Sequence, residues 1–253
     1  MYNPFSIEGK TILVTGASSG IGRSIAIECS KMGANLVITA RNAQRLNDTF
    51  QSLEGKNHIQ IISDLTNYEN ITSLVDQCPQ LDGCVNNAGI AKLILVQFIN
   101  STNLDEIFST NTIAPILLTS LLIKKKKIKP NSSIVFISAV SGVYISSIGE
   151  SLYSASKGAI HGFVKGLALD LANKGIRVNT VNPGLVPTSI LSVASDLFSE
   201  KEVLERRIVQ YPLKRFGKPE DIAFGVIYLL SNASMWVTGS ALLIDGGLTL
   251  GSI

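Results

Sequence analysis

Short runs of apolar and β-branched residues recur along this chain of 253 residues, and segments with helical periodicity separate them. Strands that alternate with helices favour parallel pairing, because each helix returns the chain to the same edge of the sheet. The first, fifth and last runs are almost continuously apolar, which is typical of strands covered on both faces. The pattern predicts one α/β domain, residues 1–253, with a doubly wound parallel sheet of seven strands between helical layers. The seven runs are residues 11–14, 35–39, 58–62, 83–85, 133–137, 176–179 and 241–244.

Composition excludes several classes of protein. Hydrophobic residues make up 45% of the chain and charged residues 16%, so an intrinsically disordered chain is excluded. A formal charge of +3 is too small to indicate nucleic-acid binding, and no run approaches the roughly 18 apolar residues of a membrane span. The three cysteines lack metal-site spacing and are odd in number, so we expect no metal, no disulfide framework and a cytoplasmic location.

A glycine-rich turn follows the first predicted strand. Residues 15–22 are Thr-Gly-Ala-Ser-Ser-Gly-Ile-Gly, and residues 23–32 then have the pattern of a helix that ends at Gly33. Glycines let the backbone approach a phosphate closely, and the free amides at a helix start face it. The order of strand, turn and helix therefore favours a pyrophosphate site, although an ordinary strand-to-helix turn rich in small residues has the same composition.

The end of the second predicted strand indicates which dinucleotide would bind. An acidic side chain there would bond the adenosine ribose hydroxyls of NAD(H) and repel a 2′-phosphate, but the sequence is Thr39-Ala40-Arg41. Arg41 offers a charge-assisted fork to a phosphate, so the sequence favours NADP(H) over NAD(H). The alternative is that Arg41 only faces solvent, and Ser19 in the glycine turn supplies no second positive charge.

Tyr153 and Lys157 lie four residues apart in a segment, residues 151–172, that has the pattern of one long helix. This spacing places both side chains on one helix face. A phenol has an unperturbed pKa of about 10, and a neighbouring ammonium lowers that value, so the tyrosine becomes usable as a general acid or base. Taken alone, such a pair also fits an ordinary helix surface.

Further motifs occur in the same order as those of a known family. They are Asn86-Asn87-Ala88-Gly89, Asn182-Pro183-Gly184, and Val237-Thr238-Gly239 followed by Asp245-Gly246-Gly247. Together with the glycine turn and the Tyr153/Lys157 pair, they resemble the short-chain dehydrogenase/reductase family over nearly the whole chain. The most similar branch is the 3-oxoacyl-[acyl-carrier-protein] reductase type. The resemblance implies a Rossmann fold and a reductase that transfers hydride between a nicotinamide cofactor and a small-molecule carbonyl or secondary alcohol.

The resemblance also implies roles for particular residues. Tyr153 would protonate the carbonyl oxygen, Lys157 would bond the nicotinamide ribose and lower the tyrosine pKa, and Asn111 would hold a water that links the lysine to solvent. Asp64 would contact adenine, and Thr188 would hold the nicotinamide carboxamide. The full set of implied cofactor contacts is Gly16, Ser18, Ser19, Gly20, Ile21, Gly22, Arg41, Asp64, Leu65, Asn87, Ala88, Gly89, Tyr153, Lys157, Pro183, Gly184, Val186 and Thr188.

The chain departs from the family pattern at two positions. Ala139 stands where the family has the serine that stabilises the oxyanion of the substrate, so either Ser138 or Ser141 is expected to supply that hydroxyl. Glu150, three residues before the tyrosine, stands where carrier-protein reductases usually have glutamine, and this acid weakens the fatty-acid assignment.

Two other functions are compatible with the same fold. The first is a catalytically silent dinucleotide-binding sensor or scaffold, which Ala139 alone supports; the second is a sugar epimerase or dehydratase, which needs a longer chain. Residues 185–216 follow a Pro-Gly turn and are expected to form an apolar lid over the substrate. The family resemblance further implies a homo-oligomer, a dimer or tetramer, formed through the Tyr153 helix and the last strand.

Two minor predictions concern packing. Lys124 to Lys127 and Lys129 are expected to end a helix that Pro130 stops, with their charges at its negative dipole end. Trp236 is expected to fill the core beside the last strand.

Overall fold

The computed structural model describes residues 2–188 and 207–251. Its sheet has seven strands: β1 (Thr11–Thr15), β2 (Asn35–Ala40), β3 (Ile59–Ile62), β4 (Leu81–Asn86), β5 (Ile128–Ile137), β6 (Arg177–Pro183) and β7 (Ala241–Ile244). The helices of this part of the chain are α1 (Gly20–Lys31), α2 (Ala43–Phe50), α3 (Tyr68–Gln77), α4 (Ser101–Phe108), α5 (Ala114–Lys124), α6 (Ser151–Leu171) and α7 (Pro219–Leu230). The predicted alternation of strands and helices is confirmed.

All six strand pairings are parallel, in the order β3-β2-β1-β4-β5-β6-β7. Two apolar clusters cover the two faces of this sheet. One joins strand residues such as Ile12 and Val181 to α1 and α7, and the other joins Leu13 and Val178 to α3, α5 and α6. The doubly wound α/β fold predicted from the sequence is therefore confirmed.

The strand order reverses between β1 and β4, because the chain winds outward first towards β3 and then, from β4, in the other direction. The loops that leave these two adjacent strands turn to opposite faces of the sheet. A crevice opens between such loops at the carboxyl ends of the strands, which is where open α/β sheets bind ligands.

The first of the two minor packing predictions is confirmed in part, since α5 ends with a lysine in its last turn and Lys125 as its C-cap. The role given to Pro130 and the burial of Trp236 are wrong. Helix α5 ends at Lys124, Lys126 adopts a left-handed φ of 55°, and Pro130 lies inside β5. Three of the lysines, Lys125, Lys127 and Lys129, contact neighbouring elements; Lys127 Nζ, for example, donates to the Cys78 carbonyl at 2.6 Å. Trp236 is fully exposed, because it lies in the loop before β7 and outside both apolar clusters.

The three cysteines, Cys29, Cys78 and Cys84, are buried and free. Within the described residues, one helical stretch, Ser101–Lys124, is long and apolar enough to cross a membrane by length and composition. Half of its most apolar window is buried inside the protein, and core helices commonly meet the same criterion, so the indication is weak. Most of the expected lid, residues 189–206, lies outside the described residues.

Candidate active site

The glycine-rich turn between β1 and α1 forms one end of a cleft of about 1000 Å³. Gly16 and Gly20 have left-handed φ values of 65° and 54°, which glycine adopts without strain. Helix α1 then begins without a side-chain cap and with no acidic residue in its first turn. Its first amides and the positive end of its dipole are therefore available to an anion in the cleft.

Gly22 is required in this turn for a different reason, because neighbouring atoms approach its backbone closely. A Cβ atom on Gly22 would lie 2.3 Å from Asn87 Nδ2 and 2.4 Å from the Gly16 carbonyl oxygen. Asn87 holds the turn in place, since its Nδ2 donates to the carbonyl of Thr15 at 3.0 Å and to that of Gly16 at 3.3 Å. The Thr15 hydroxyl in turn accepts the amides of Asn87 and Ala88, both at 3.0 Å. Two loops that leave β1 and β4 are thus joined beside the anion site.

The adenosine end of the cleft carries two arginines. Arg41 follows β2 directly, and Arg45 lies one turn into α2, where its amide bonds the capping Asn42 side chain at 2.9 Å. Partial burial alone would raise the pKa of the Asp64 carboxyl. Hydrogen bonds from the amide and hydroxyl of Thr66, together with the Arg41 charge, outweigh that effect and hold the pKa below its usual value. This end of the cleft combines positive charge with one ordered carboxylate.

Tyr153 and Lys157 lie on one face of α6, as predicted, and both line the cleft. Lys157 Nζ is 5.9 Å from the centroid of the Tyr153 ring and donates to the Ile137 carbonyl at the end of β5 at 2.9 Å. Burial lowers the pKa of Lys157 to about 8. Burial and, to a smaller extent, the charge of Glu150 raise the pKa of Tyr153. In this structure, burial therefore sets the direction of the Tyr153 pKa shift, which is opposite to the lowering expected from a neighbouring ammonium.

Asn111 lies in a π-helical turn, Ser109–Ile113, between α4 and α5. Such turns often occur at functional sites, because the extra residue turns a side chain or a carbonyl out of the helix ladder. The Asn111 side chain accepts the Ile90 amide at 2.8 Å and donates to the Ile90 carbonyl at 2.9 Å and to Ser156 Oγ at 3.1 Å. It thereby ties the loop after β4 to α6, one residue from Lys157.

The two candidate oxyanion serines are both already hydrogen-bonded. Ser138 Oγ donates to the Lys157 carbonyl at 3.3 Å, a long and weak bond. Ser141 Oγ donates to Glu150 Oε2 at 2.8 Å, which is a stronger, charge-assisted bond. Ala139, the residue in the family's serine position, lines the cleft between them.

The cleft brings together all but one of the residues predicted from the sequence. Those that line it are Gly16, Ser18, Ser19, Gly20, Ile21, Gly22, Arg41, Asp64, Leu65, Asn87, Ala88, Gly89, Ser138, Ser141, Tyr153, Lys157, Pro183, Gly184, Val186 and Thr188. Asn111 does not line the cleft; it bonds Ser156, the residue before the lining residue Lys157.

Sequence reasoning missed several residues that line the cleft. Arg45 lies beside Arg41, and a basic residue one helical turn after the second strand could have indicated it. Apolar side chains from the loops after β4 and β5 line the other end, and no motif marks them. They are Ile90, Leu93, Ile94, Val140, Ile145 and Ile148.

The residues present fit a nicotinamide dinucleotide. One end of the cleft offers free helix amides and glycines whose Cβ atoms would fill the turn, which suits a pyrophosphate. The other end places a phenol, an ammonium and two serine hydroxyls next to an apolar wall, which suits a carbonyl substrate. Among the described residues, no group of three or more potential metal ligands is present.

Comparison with known proteins agrees with this geometry. The family model described as enoyl-(acyl carrier protein) reductase matches residues 16–249. The chain is 34% identical over 244 residues to the 3-oxoacyl-[acyl-carrier-protein] reductase of Rickettsia bellii, which covers 96% of this chain and 98% of that protein. It is 33% identical over 251 residues to the protein of the same name from Thermotoga maritima, with 96% and 99% of the two chains covered.

Solved structures give the same result. A short-chain type dehydrogenase/reductase from Mycobacterium marinum superposes with a TM-score of 0.86 at 29% identity, covering 97% of this chain and 98% of that one. A structure from Agrobacterium tumefaciens with bound NADP, described as a 2-deoxy-D-gluconate 3-dehydrogenase, has a TM-score of 0.86 at 30% identity, covering 98% and 100%. The chain therefore belongs to the short-chain dehydrogenase/reductase family, and it is an oxidoreductase that acts on carbonyl and CH–OH groups.

Proposed function

We propose that the protein is an NADP(H)-dependent reductase in which Tyr153 gives a proton to the carbonyl oxygen of the substrate. The observation that carries the proposal is the position of Tyr153 and Lys157, which share one face of α6 at the apolar end of the cleft. The glycine turn and the start of α1 line the same cleft. A single cleft that is lined by both the glycine turn and this pair supports a dinucleotide whose reactive ring lies next to the tyrosine.

The proton chemistry follows from the surroundings of Tyr153. When bound, the reduced nicotinamide supplies the hydride that reduces the carbonyl carbon. Because burial and Glu150 raise the pKa of Tyr153, the phenol is protonated at neutral pH and is ready to donate its proton to the carbonyl oxygen. Lys157 is the nearby cation that stabilises the phenolate left after proton transfer. Asn111 holds the loop at Ile90 and the α6 residue Ser156, which is next to Lys157, in place.

A second hydroxyl is proposed to bond the carbonyl oxygen. Ser138 and Ser141 are the candidates, and each must first release its present acceptor. Ser138 is the less costly of the two to redirect, since its bond to the Lys157 carbonyl is 3.3 Å long and involves no charge. Ser141 would have to leave a carboxylate at 2.8 Å.

The preference for NADP(H) over NAD(H) is supported by the end of β2. Ala40 stands there in place of an acid, and Arg41 and Arg45 both line the cleft. Two guanidinium groups suit a 2′-phosphate, which carries up to two negative charges. Arg41→Ala is expected to weaken NADPH binding about tenfold or more and to leave NADH binding within about twofold.

A silent sensor or scaffold is not the function that the residues favour, because Tyr153, Lys157 and Asn111 are all present. The substrate is proposed to be a small or medium carbonyl compound or its secondary alcohol, since the reacting end of the cleft is lined by apolar side chains. The names of the relatives make a 3-oxoacyl thioester one candidate within this class.

The protein is further proposed to be a cytoplasmic homo-oligomer, a dimer or a tetramer. Three free, buried cysteines suit a reducing compartment. Large apolar side chains are exposed on two sides of the molecule, near α6 and near β7, and they suit interfaces between copies. They include Leu104, Ile113 and Leu169 on the first side and Phe224, Met235 and Trp236 on the second. Sedimentation equilibrium of the purified chain tests this proposal, and a monomer at micromolar concentration would contradict it.

Tyr153→Phe tests the proposed function. The variant removes only the proton donor, so kcat for NADPH-dependent ketone reduction is expected to fall at least about 10²-fold while NADPH binding stays unchanged. Tyr68→Phe, on the half-exposed outer face of α3, is the matched control and should leave both unchanged. Turnover by Tyr153→Phe at the wild-type rate would contradict the proposal, and tight NADPH binding without wild-type turnover of any ketone would favour the sensor.

A further inference from the structure

Glu150 is a feature of the cleft that the proposed proton chemistry does not require. Among the described residues that line the cleft, the carboxylates are Asp64 and Glu150. Asp64 lies at the adenosine end, whereas Glu150 lies three residues before Tyr153, at the reacting end. A negative charge next to the reacting groups must affect which substrates can enter.

The Glu150 side chain is held in one orientation. Its Oε2 atom accepts Ser141 Oγ at 2.8 Å and the Ser147 amide at 3.2 Å. Its backbone carbonyl accepts the Ser154 amide at 2.7 Å, which fixes the residue as the N-cap of α6. A negative charge in this position is favourable, because it lies at the positive end of the dipole of a helix of 21 residues.

The second oxygen of this carboxylate, Oε1, has unused capacity to accept hydrogen bonds. Oε2 takes both donors, and within the described part of the chain Oε1 accepts no hydrogen bond from the protein. The neighbouring lining is apolar and includes Ile145 and Ile148. Because Glu150 lines the cleft, an occupant that carries a donor can bond this oxygen. An occupant without a donor displaces water from the carboxylate and replaces none of its hydrogen bonds.

We propose that Glu150 is a specificity-determining residue, which selects substrates that carry a hydroxyl group near the reacting carbonyl. The proposal rests on the proposed reductase function and narrows it to hydroxy ketones and the corresponding diols. A hydroxyl donates to Oε1, whereas a thioester carbonyl or a carboxylate in the same place would bring an acceptor against a negative charge. Glu150 therefore disfavours 3-oxoacyl thioesters and keto acids.

Three ketones of related structure test this selection. They are 3-hydroxy-2-butanone, which carries the donor; 2-butanone, which lacks it; and the acetoacetyl thioester of N-acetylcysteamine, which offers only acceptors. The measurement is kcat/KM with NADPH for the wild type, Glu150→Gln and Glu150→Leu. Glu69→Gln is the control, because it removes a carboxylate near the start of another helix, α3, where the residue is exposed and outside the cleft lining.

The wild type is expected to favour 3-hydroxy-2-butanone over 2-butanone about tenfold or more, and Glu150→Leu should reduce that ratio to about one. Glu150→Gln keeps an acceptor but removes the charge, so it should retain part of the preference and raise kcat/KM for the thioester about five- to tenfold. Glu69→Gln should change neither ratio. Should Glu150→Leu fail to fold, the Glu150→Gln result on the thioester decides the question.

A wild-type ratio near one, a ratio that Glu150→Leu leaves unchanged, or a thioester rate that Glu150→Gln does not raise would overturn the inference. So would a wild type that reduces the thioester but neither butanone. If Tyr153→Phe still abolishes turnover in any of these cases, the proposed function stands and only the selection by Glu150 fails. If Tyr153→Phe keeps full turnover, both fail.

Discussion

Two side chains at the residue scale, Tyr153 and Lys157, have pKa values displaced in opposite directions by the same cause. Burial disfavours the charged form of each, so it raises the pKa of the phenol and lowers that of the ammonium to about 8. At neutral pH both therefore carry their protons. This is the state that carbonyl reduction requires, with a neutral acid beside a cation.

The pH dependence of reduction follows from Lys157. Because its pKa is below the usual value, the lysine loses its positive charge as the pH rises through about 8, while Tyr153 is still protonated. We expect kcat/KM for reduction to be constant below this pH and to fall about tenfold per pH unit above it. NADPH oxidation measured from pH 6 to 10 checks this. Lys157→Arg should move the decline to higher pH, and a profile that is flat to pH 10 would contradict the assignment.

The choice between the two serines is a second prediction at this scale. Ser138→Ala is expected to lower kcat for ketone reduction roughly 10²-fold to 10³-fold, because it removes a donor to the developing oxyanion. Ser141→Ala is expected to lower kcat less than about tenfold, since this hydroxyl mainly serves Glu150. Parallel steady-state kinetics on both variants provide the measurement. The reverse order of effects would assign the oxyanion role to Ser141.

The sequence predicted which residues line the cleft better than it predicted their protonation and hydrogen bonding. Gly16, Asn87 and Tyr153 were predictable because each belongs to a motif placed at the end of a strand or on one helix face. The raised pKa of Tyr153 was not predictable, because desolvation depends on side chains from other loops. The bond between Ser141 and Glu150 was not predictable either, because it requires the path of the loop between them.

At the scale of elements, β7 was predicted at both ends, whereas the other strands were predicted in their interiors and missed at one or both ends. The fifth strand begins at Ile128, five residues before the predicted start, although Pro130 lacks an amide for the ladder. The register between β4 and β5 is irregular between Leu81 and Gly83, and the strand passes this proline there. The π-helical turn at Asn111 likewise has no local sequence signal, since its cause lies in the Asn111 contacts with Ile90 and Ser156.

The turn between β1 and α1 gives a prediction about an element. Gly22→Ala places a Cβ atom against backbone and the anchored Asn87 amide, so the turn must shift. We expect NADPH affinity to fall at least about 100-fold, because the free amides of α1 then miss the pyrophosphate. Fluorescence titration of NADPH together with a thermal unfolding curve measures affinity and stability separately.

Gly225→Ala is the matched control for that turn. Gly225 is also a helical glycine whose Cβ would meet an atom at 2.3 Å, but that atom is the flexible end of the Ile244 side chain. This variant is expected to lower the unfolding midpoint by a few degrees and to leave NADPH affinity unchanged. Equal losses of NADPH affinity in the two variants would show that packing in general, and not the glycine turn, controls binding.

At the scale of the whole molecule, the order of the motifs along the chain was enough to predict the sheet. Most of the motifs follow a strand, and parallel strands bring their carboxyl ends to one edge, so distant residues such as Asp64 and Thr188 line one cleft. Solvent exposure was less predictable. Trp236 is large and apolar but lies outside both clusters, because α6 and α7 already cover the two faces of β6 beside β7.

The buried cysteines report on the stability of the whole fold and connect it to cofactor binding. Burial raises the pKa of Cys29 to about 12 and that of Cys84 further, while Lys127 partly offsets the effect at Cys78, whose pKa is about 11. Thiolate, the reactive form, is therefore scarce in the folded protein. We expect slow labelling by a thiol reagent at pH 8 in the native state, with Cys78 reacting first, and fast labelling of all three in denaturant.

Saturating NADPH should slow the labelling of Cys29 and Cys84 in proportion to one plus the ratio of free NADPH to its Kd, because the ligand binds only the folded state. At NADPH equal to 100 times Kd, the expected slowing is about 100-fold. Arg41→Ala at the same NADPH concentration should give about a tenth of this protection, with NADH as the reference for a cofactor without the 2′-phosphate. Mass spectrometry of the labelled chain resolves the sites. Protection of Cys84 that is equal for NADPH and NADH at equal concentration would contradict the proposed preference for the phosphorylated cofactor.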